Sequence, residues 1–131
     1  MRSVQTEQII FRAASATGTG TPQMVEDYQH LLLTLSSANS ANFTIQIQGS
    51  QADTCPTFSS SASVTNPWSY VQVKNYNDNS TVNGNVGIVY AGTDAVGMYE
   101  VNTNGLRWIC ATITVYSAGN ITLNLKTYSN E

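Results

Sequence analysis

Charged side chains are scarce in this sequence. Asp, Glu, Lys and Arg make up 10% of its 131 residues, against about 25% in ordinary soluble domains. Five Lys and Arg against eight Asp and Glu give a net charge of −3. That is too few cations for a phosphate-binding face or for binding to an anionic membrane. We therefore expect neither nucleic acid nor a membrane as a partner.

Residue types that carry out catalysis are also few. The one histidine, His30, begins an apolar run, and the two cysteines, Cys55 and Cys110, have no metal-site spacing. We interpret both cysteines as buried thiols, and a disulfide between them stays open as an alternative. A Gly-x-Ser-x-Gly motif and a glycine-rich phosphate loop are both missing. The sequence predicts a protein that is not an enzyme and uses no cofactor or metal.

Long hydrophobic runs are missing as well. The longest apolar run near the N-terminus is Ile9-Ile10-Phe11, which is much shorter than a signal peptide or a membrane span requires. We therefore expect the chain to be made and folded in a cytoplasm.

Alternation of apolar and polar residues is what the sequence has in quantity. FTIQIQ places Phe43, Ile45 and Ile47 on one face and polar residues on the other, as a half-buried strand does. The same alternation recurs in HLLLTL, WSYVQVKNY, NVGIVYAG, VGMYEVN, LRWICATITVY and ITLNLKTY, and VQTEQIIFRAAS is an eighth candidate. Seven or eight short strands predict an all-β fold, a single antiparallel β-sandwich over residues 1–131, for which we expect jelly-roll connections.

The segments between these runs are rich in Gly, Asn and Ser, which favour turns. SSANSAN predicts a turn between two strands, and SAGN predicts a hairpin between residues 106–116 and 120–128. Residues 50–66 have no clear period and are interpreted as a long loop. One turn of helix is expected after Pro22. Residues 1–20 have two open interpretations, an extended arm on a neighbouring subunit or a first strand of the same sandwich.

Aromatic side chains supply the one candidate contact site. Trp68 and Tyr70 share a strand face with Gln72 in WSYVQVKNY. Exposed rings on one face can stack on sugars or pack against a protein partner. We therefore predict a carbohydrate or partner contact at Trp68, Tyr70 and Gln72.

The chain resembles small virion structural proteins of tailed bacteriophages. The resemblance rests on ASATGTGTPQ after a first strand, on NPWSYVQVKNYN, and on the meander from GNVGIVYAGTD to the C-terminal LNLKTYSN. It covers mainly the second half of the chain and includes no diagnostic motif. It implies no catalytic residues.

This resemblance implies a function. We expect a non-enzymatic virion protein, made in the host cytoplasm. Its expected role is capsid decoration, binding the outer shell and stabilising it. Its expected partners are the major capsid protein and further copies of itself, with a trimer favoured. The alternative is a carbohydrate- or receptor-binding β-sandwich module of a phage tail or fibre.

Overall fold

The fold was analysed in a computed structural model, which describes residues 2–4, 7–26, 28, 30–57, 67–92, 94, 96–102 and 106–130. Eleven strands and no helix occur in these residues. The strands are β1 (Arg2–Val4), β2 (Gln8–Ala14), β3 (Gly18–Thr19), β4 (Gln23–Met24), β5 (His30–Ser50), β6 (Ser69–Tyr70), β7 (Val73–Asn75), β8 (Thr81–Val82), β9 (Ile88–Ala91), β10 (Val96–Asn102) and β11 (Trp108–Asn130). All of their pairings are antiparallel and form one sheet. The predicted all-β antiparallel fold is confirmed, and the jelly-roll connections stay a prediction.

Two long strands form the centre of the sheet. β5 has 21 residues and β11 has 23, and they pair along their whole length, from Trp108 with Ser50 to Tyr128 with His30. Their apolar residues alternate with polar ones, so every second side chain faces the same side of the sheet. This alternation is the one that the sequence predicts.

Both long strands bend at the same place. In β5, Asn39 and Ser40 have φ angles of 62° and 56°, and in β11, Gly119 has a φ angle of 91°. The β5–β11 register shifts on both sides of Ala118, which marks a β-bulge. The bend divides the sheet into two halves. The first half-sheet contains residues 30–38 and 120–130, and the second half-sheet contains residues 41–50 and 108–118.

The predicted hairpin between residues 106–116 and 120–128 is wrong. SAGN lies inside β11, which continues through it as a single strand paired with β5. SSANSAN likewise lies inside β5 rather than in a turn between two strands. A positive φ angle and an extra residue can produce a bulge as well as a turn. Because β5 bends beside β11, each strand keeps its partner and neither has to fold back on itself.

The inner faces of the two half-sheets share one hydrophobic core. Its members come from the same alternating positions before and after the bend, as the predicted sandwich requires. The large side chains under 2% exposed are Phe43, Leu31, Leu33, Leu35, Ile45, Ile47, Ile109, Ile113, Ile121, Leu123, Leu125 and Val25. Burial of such side chains is the main stabilising contribution to the fold, about 1.5–3 kcal/mol each.

The remaining strands are short and lie on the edges of this central pair. In the first half-sheet, β1 and β2 pair with β11, β10 pairs with β5, β7 pairs with β10, and β8 pairs with β7. In the second half-sheet, β3 and β4 pair with β11, while β6 and β9 pair with β5. β9 and β10 therefore lie one after the other along the same edge of β5, on either side of the bend.

The N-terminal segment pairs with its own chain. β2 adds to β11 and contributes Ile10 and Phe11 to the core. This is the arrangement of a first strand in the same sandwich, and the extended arm on a neighbouring subunit stays a prediction. The helix turn expected after Pro22 is wrong, because Gln23–Met24 is a strand and is followed by a turn in which the Tyr28 amide donates to the Val25 carbonyl. Of the loop predicted over 50–66, residues 58–66 lie outside the described residues.

Candidate functional site

The three residues of the predicted contact site do not form one surface. Trp68 is 3% exposed, and its indole N–H donates to the Thr57 carbonyl at 3.2 Å. Tyr70 is 45% exposed, and the exposed Gln72 donates to the Asn83 side-chain oxygen. The strand breaks after Tyr70 and resumes at Val73, so alternation does not hold across this segment. A contact at Tyr70 and Gln72 stays a prediction, but the ring of Trp68 is not available to stack on a sugar.

Tyr70 instead borders a groove of about 530 Å³ beside the end of β5. Its other walls include Pro67, Leu106 and residues 49–52. Tyr70 is the one large exposed ring in this groove. The groove is a minor candidate, because its lining holds few groups that could orient a ligand.

A larger groove, of about 690 Å³, lies where β7, β9 and β10 meet. We call it the tyrosine groove. It is lined by Asn75, Tyr76, Asn77, Val89, Tyr90, Val96, Gly97, Met98 and Tyr99. The pairing of Tyr99 with Asn75 and the hydrogen bond from the Tyr76 amide to the Met98 carbonyl join β7 to β10 at this point. Three tyrosines distant in sequence are thereby brought to one surface.

The floor of the tyrosine groove is anchored in the core. Tyr90 packs its ring on the buried Phe43 with 4.9 Å between ring centroids. Gly97 leaves room for these rings, since a Cβ there would lie 2.7 Å from the Tyr90 hydroxyl. Burial, followed by the neighbouring Tyr90, raises the pKa of the Tyr99 phenol. Both rings are therefore fixed, and the Tyr99 phenol is neutral at neutral pH.

Tyr76 forms one wall of the groove and has a defined polar contact. Its hydroxyl donates to the Glu100 carboxylate at 3.1 Å. Burial first, then the Glu100 carboxylate and the nearby Tyr128, raise the pKa of Tyr76 to about 12. The phenol thus keeps its proton at neutral pH and acts as a hydrogen-bond donor rather than as a base.

The rim of the groove is apolar and exposed. Four of the eight large apolar side chains exposed in the described part of the chain belong to it: Tyr76, Val89, Val96 and Met98. Val96 is 68% exposed and Met98 is 45% exposed. Clustered apolar side chains at a surface mark contact sites, whereas single ones do not. The chemistry of this groove is suited to holding an apolar or aromatic surface.

The cysteines are free and lie in different environments. Cys110 is buried, as predicted, but Cys55 is exposed, so the prediction of two buried thiols is wrong for Cys55. Burial raises the pKa of Cys110 to about 12, which keeps it a thiol rather than a reactive thiolate. Its Sγ approaches the Gly20 carbonyl at 3.3 Å and packs in the interior.

The other predicted features lie outside the groove. The His30 ring stacks on Tyr128 with 5.0 Å between ring centroids. The described residues contain no group of three or more His, Cys, Asp or Glu arranged to hold a metal ion. Over the same residues, no helix is long and apolar enough to cross a membrane.

Sequence reasoning overlooked the tyrosine groove, although one signal was present. The alternation in VGMYEVN correctly places Tyr99 and Val101 inward. It also places Met98, with Val96, on the outward face, where polar residues are usual. Apolar residues on the outer face of a strand indicate a contact surface.

Two solved structures share this fold. The first is that of the SPBc2 prophage-derived protein YomS, with a TM-score of 0.73, 12% identity, and coverage of 98% of this chain and 96% of that one. The second is that of the PBSX exported protein XepA, with a TM-score of 0.72, 14% identity and coverage of 98% of this chain. This chain spans only 38% of XepA. No protein-family model matches the chain, and no curated protein matches its sequence. At these identities the likeness establishes a shared β fold.

Proposed function

We propose that this chain is a non-enzymatic structural protein of a bacteriophage virion. Its specific role in this proposal is capsid decoration, in which it self-associates and binds the major capsid protein on the outer shell. It is made in the host cytoplasm and ends in the particle. The observation that carries the proposal is the exposed apolar rim of the tyrosine groove at Tyr76, Val89, Val96 and Met98.

The chemistry of the groove supports binding to a protein. Aromatic side chains and Met are enriched in protein interfaces, and charged residues are depleted from interface centres. The lining of the groove has this composition, with three tyrosines, a methionine and no charged residue. A rigid floor, held by Tyr90 on Phe43, lowers the entropy lost on binding.

The origin of the two structures with the same fold supports the phage assignment. YomS is named as a prophage-derived protein, and XepA carries the name of PBSX. The low charge of this chain also fits a protein that associates over a wide surface. A surface of amides and hydroxyls makes neutral hydrogen bonds and avoids the desolvation cost of buried charges.

A second candidate function, carbohydrate or receptor binding at a phage tail or fibre, is favoured by one observation. The exposed Tyr76 ring lies between Asn75 and Asn77 on the wall of the tyrosine groove. A ring flanked by amides can stack on a sugar and bond its hydroxyls. In this case Tyr76→Ala abolishes retention on immobilised glycans and leaves capsid binding intact, whereas the primary proposal predicts no glycan retention by the wild type.

The primary proposal is tested by co-sedimentation with empty capsids of the phage that encodes the chain. Met98→Asp places a charge in the apolar rim and is expected to lower capsid binding at least tenfold, about 1.4 kcal/mol, because an interface would have to desolvate that charge. Met24→Asp is the matched control. Met24 is also on a short strand and is 43% exposed against 45% for Met98, but it lies on the opposite edge of the sheet.

The paired variants give clear outcomes. Loss of capsid binding by Met98→Asp, with wild-type binding by Met24→Asp, supports the proposal. Equal binding by both variants, or no sedimentation of the wild-type chain with capsids, contradicts it. Both substitutions are at exposed positions, so the two proteins should unfold at similar urea concentrations, which confirms that the comparison reports on binding.

A further inference from the structure

The outer face of the first half-sheet carries a row of charges across its strands. Lys74 on β7, Glu100 on β10, Leu32 on β5 and Lys126 on β11 are direct cross-strand neighbours. Glu7 immediately precedes β2, whose first paired residue, Gln8, lies beside Leu125. Across the paired strands the row therefore reads positive, negative, apolar, positive, and Glu7 lies just beyond its end.

This row concentrates charge on a chain that has little of it. Lys74 and Lys126 are the only two lysines of the sequence, and charged residues make up 10% of it. Within the described part of the chain, both salt bridges involve Arg107, which pairs with Glu26 and Asp53. Among the described residues, Lys74, Glu100, Lys126 and Glu7 thus form no ion pair within the chain. Lys74, Lys126 and Glu7 are also exposed.

We propose that a second copy of this chain docks on this face, related by a two-fold axis that runs along β5 over Leu32. Such a rotation exchanges the two sides of the row. Glu100 then faces Lys126 of the second copy, and Lys126 faces Glu100 of the second copy. The same rotation brings Lys74 to the end of the second copy's row, beyond which Glu7 lies. A two-fold interface uses the same patch on both copies, so it requires this kind of self-complementary pattern.

Leu32, at the centre of the row, is half-buried and gives this interface apolar area. Apolar contacts supply affinity, while charges of opposite sign fix the register of the two copies. A different partner protein would need only charges of its own that complement this row, so the row itself would not have to be self-complementary. The reversal of sign about Leu32 therefore favours a second copy as the occupant.

This inference deepens the proposed function and rests on its self-association, because it names the surface through which copies meet. The test measures the dimer dissociation constant by sedimentation equilibrium at micromolar concentrations. Glu100→Lys and Lys126→Glu each place like charges opposite one another and should raise that constant at least about tenfold. The double variant restores both pairs in the opposite sense and should return it to within about threefold of the wild type.

A control and a second measurement keep the test decisive. Asp53→Lys changes the net charge as Glu100→Lys does, but in the loop after β5, and should leave the dissociation constant unchanged. Raising the salt concentration should weaken the wild-type dimer, because exposed ion pairs are screened, whereas a purely apolar contact is not weakened by salt. The salt series needs no variant, so it decides the question even if a charge reversal prevents folding.

The outcomes separate this inference from the proposed function. A monomeric or trimeric wild-type chain, or a double variant no better than the single ones, overturns the two-fold interface. A chain that self-associates as another oligomer and still binds capsids overturns this inference and leaves the proposed function standing. A chain that forms the charge-dependent dimer but never binds capsids supports this inference and overturns the proposed function.

Discussion

β5 and β11 bend side by side at the same corner, but they do so with different residues. In β5, Asn39 and Ser40 adopt positive φ angles although neither is glycine. The Asp94 carboxylate supports them by accepting hydrogen bonds from the amides of Ser40 at 2.8 Å and Ala41 at 3.4 Å. In β11, the bend uses Gly119, whose carbonyl accepts a hydrogen bond from the Tyr116 hydroxyl at 2.7 Å.

The two strands therefore stabilise the same bend in different ways. The β11 side depends on the absence of a side chain, because a Cβ on Gly119 would lie 2.4 Å from Cα of Ala41. The β5 side depends on a polar group from elsewhere, since Asp94 lies between β9 and β10. Such a carboxylate satisfies amides that the bend removes from the ladder. We therefore expect substitution of Gly119, where a side chain would clash, to be less well tolerated than substitution of Asp94, which supplies hydrogen bonds.

The largest effect is expected at Gly119. Gly119→Ala should lower the free energy of unfolding by about 3 kcal/mol or more, because a positive φ angle and a clash with backbone coincide there. The measurement is urea denaturation followed by tryptophan fluorescence.

Gly92→Ala is the control for Gly119→Ala. Gly92 has a φ angle of 75°, but a Cβ there would meet nothing within 4 Å. Its substitution should cost only the conformational strain, about 1 kcal/mol. Equal losses at the two positions would show that the close approach to Ala41 is not what makes Gly119 necessary.

A smaller effect is expected on the β5 side. Asp94→Ala removes the acceptor for the Ser40 and Ala41 amides, and should lower the free energy of unfolding by about 1–2 kcal/mol. Asp94→Asn keeps an acceptor oxygen and should recover more than half of that loss. Both are measured by urea denaturation. An Asn variant as unstable as the Ala variant would mean that the hydrogen bonds do not support the corner.

The smallest effect is a gain in stability. Ser40→Gly should raise the free energy of unfolding by about 0.5 kcal/mol, because glycine adopts a positive φ angle without steric strain and this gain outweighs its greater freedom in the unfolded chain. Asn39→Gly should be close to neutral, since asparagine tolerates this conformation. Thermal unfolding of both variants checks the order. A clear loss at Ser40 would show that its backbone is not strained.

The corner also explains what the sequence could and could not predict. Alternation correctly identifies the inward residues of the long strands, such as Leu33, Ile45 and Leu123, because it is a local property of a half-buried strand. Alternation does not distinguish a turn from a bend within one strand. Gly, Asn and Ser are common in both, and the outcome depends on whether a neighbouring strand pairs with the segment, as β5 pairs with SAGN in β11.

The tyrosine groove could not be predicted from the sequence for a similar reason. Tyr76, Tyr90 and Met98 meet only because β7 pairs with β10 and β9 lies along β5 beside it. Pairings between distant segments are not encoded in local periodicity. Alternation groups Trp68 with Tyr70, but the strand ends at Tyr70, and the Trp68 ring is buried with its indole N–H bonded to the Thr57 carbonyl.

The central claim is that this chain is a phage virion protein, and its most direct test is quantitative mass spectrometry of density-purified particles from a phage whose genome carries the gene for this chain. A structural virion protein is expected in a fixed ratio to the major capsid protein, in every fraction that contains intact particles. Absence of the chain from those fractions, while it is abundant in the lysate from which they were purified, would contradict the account.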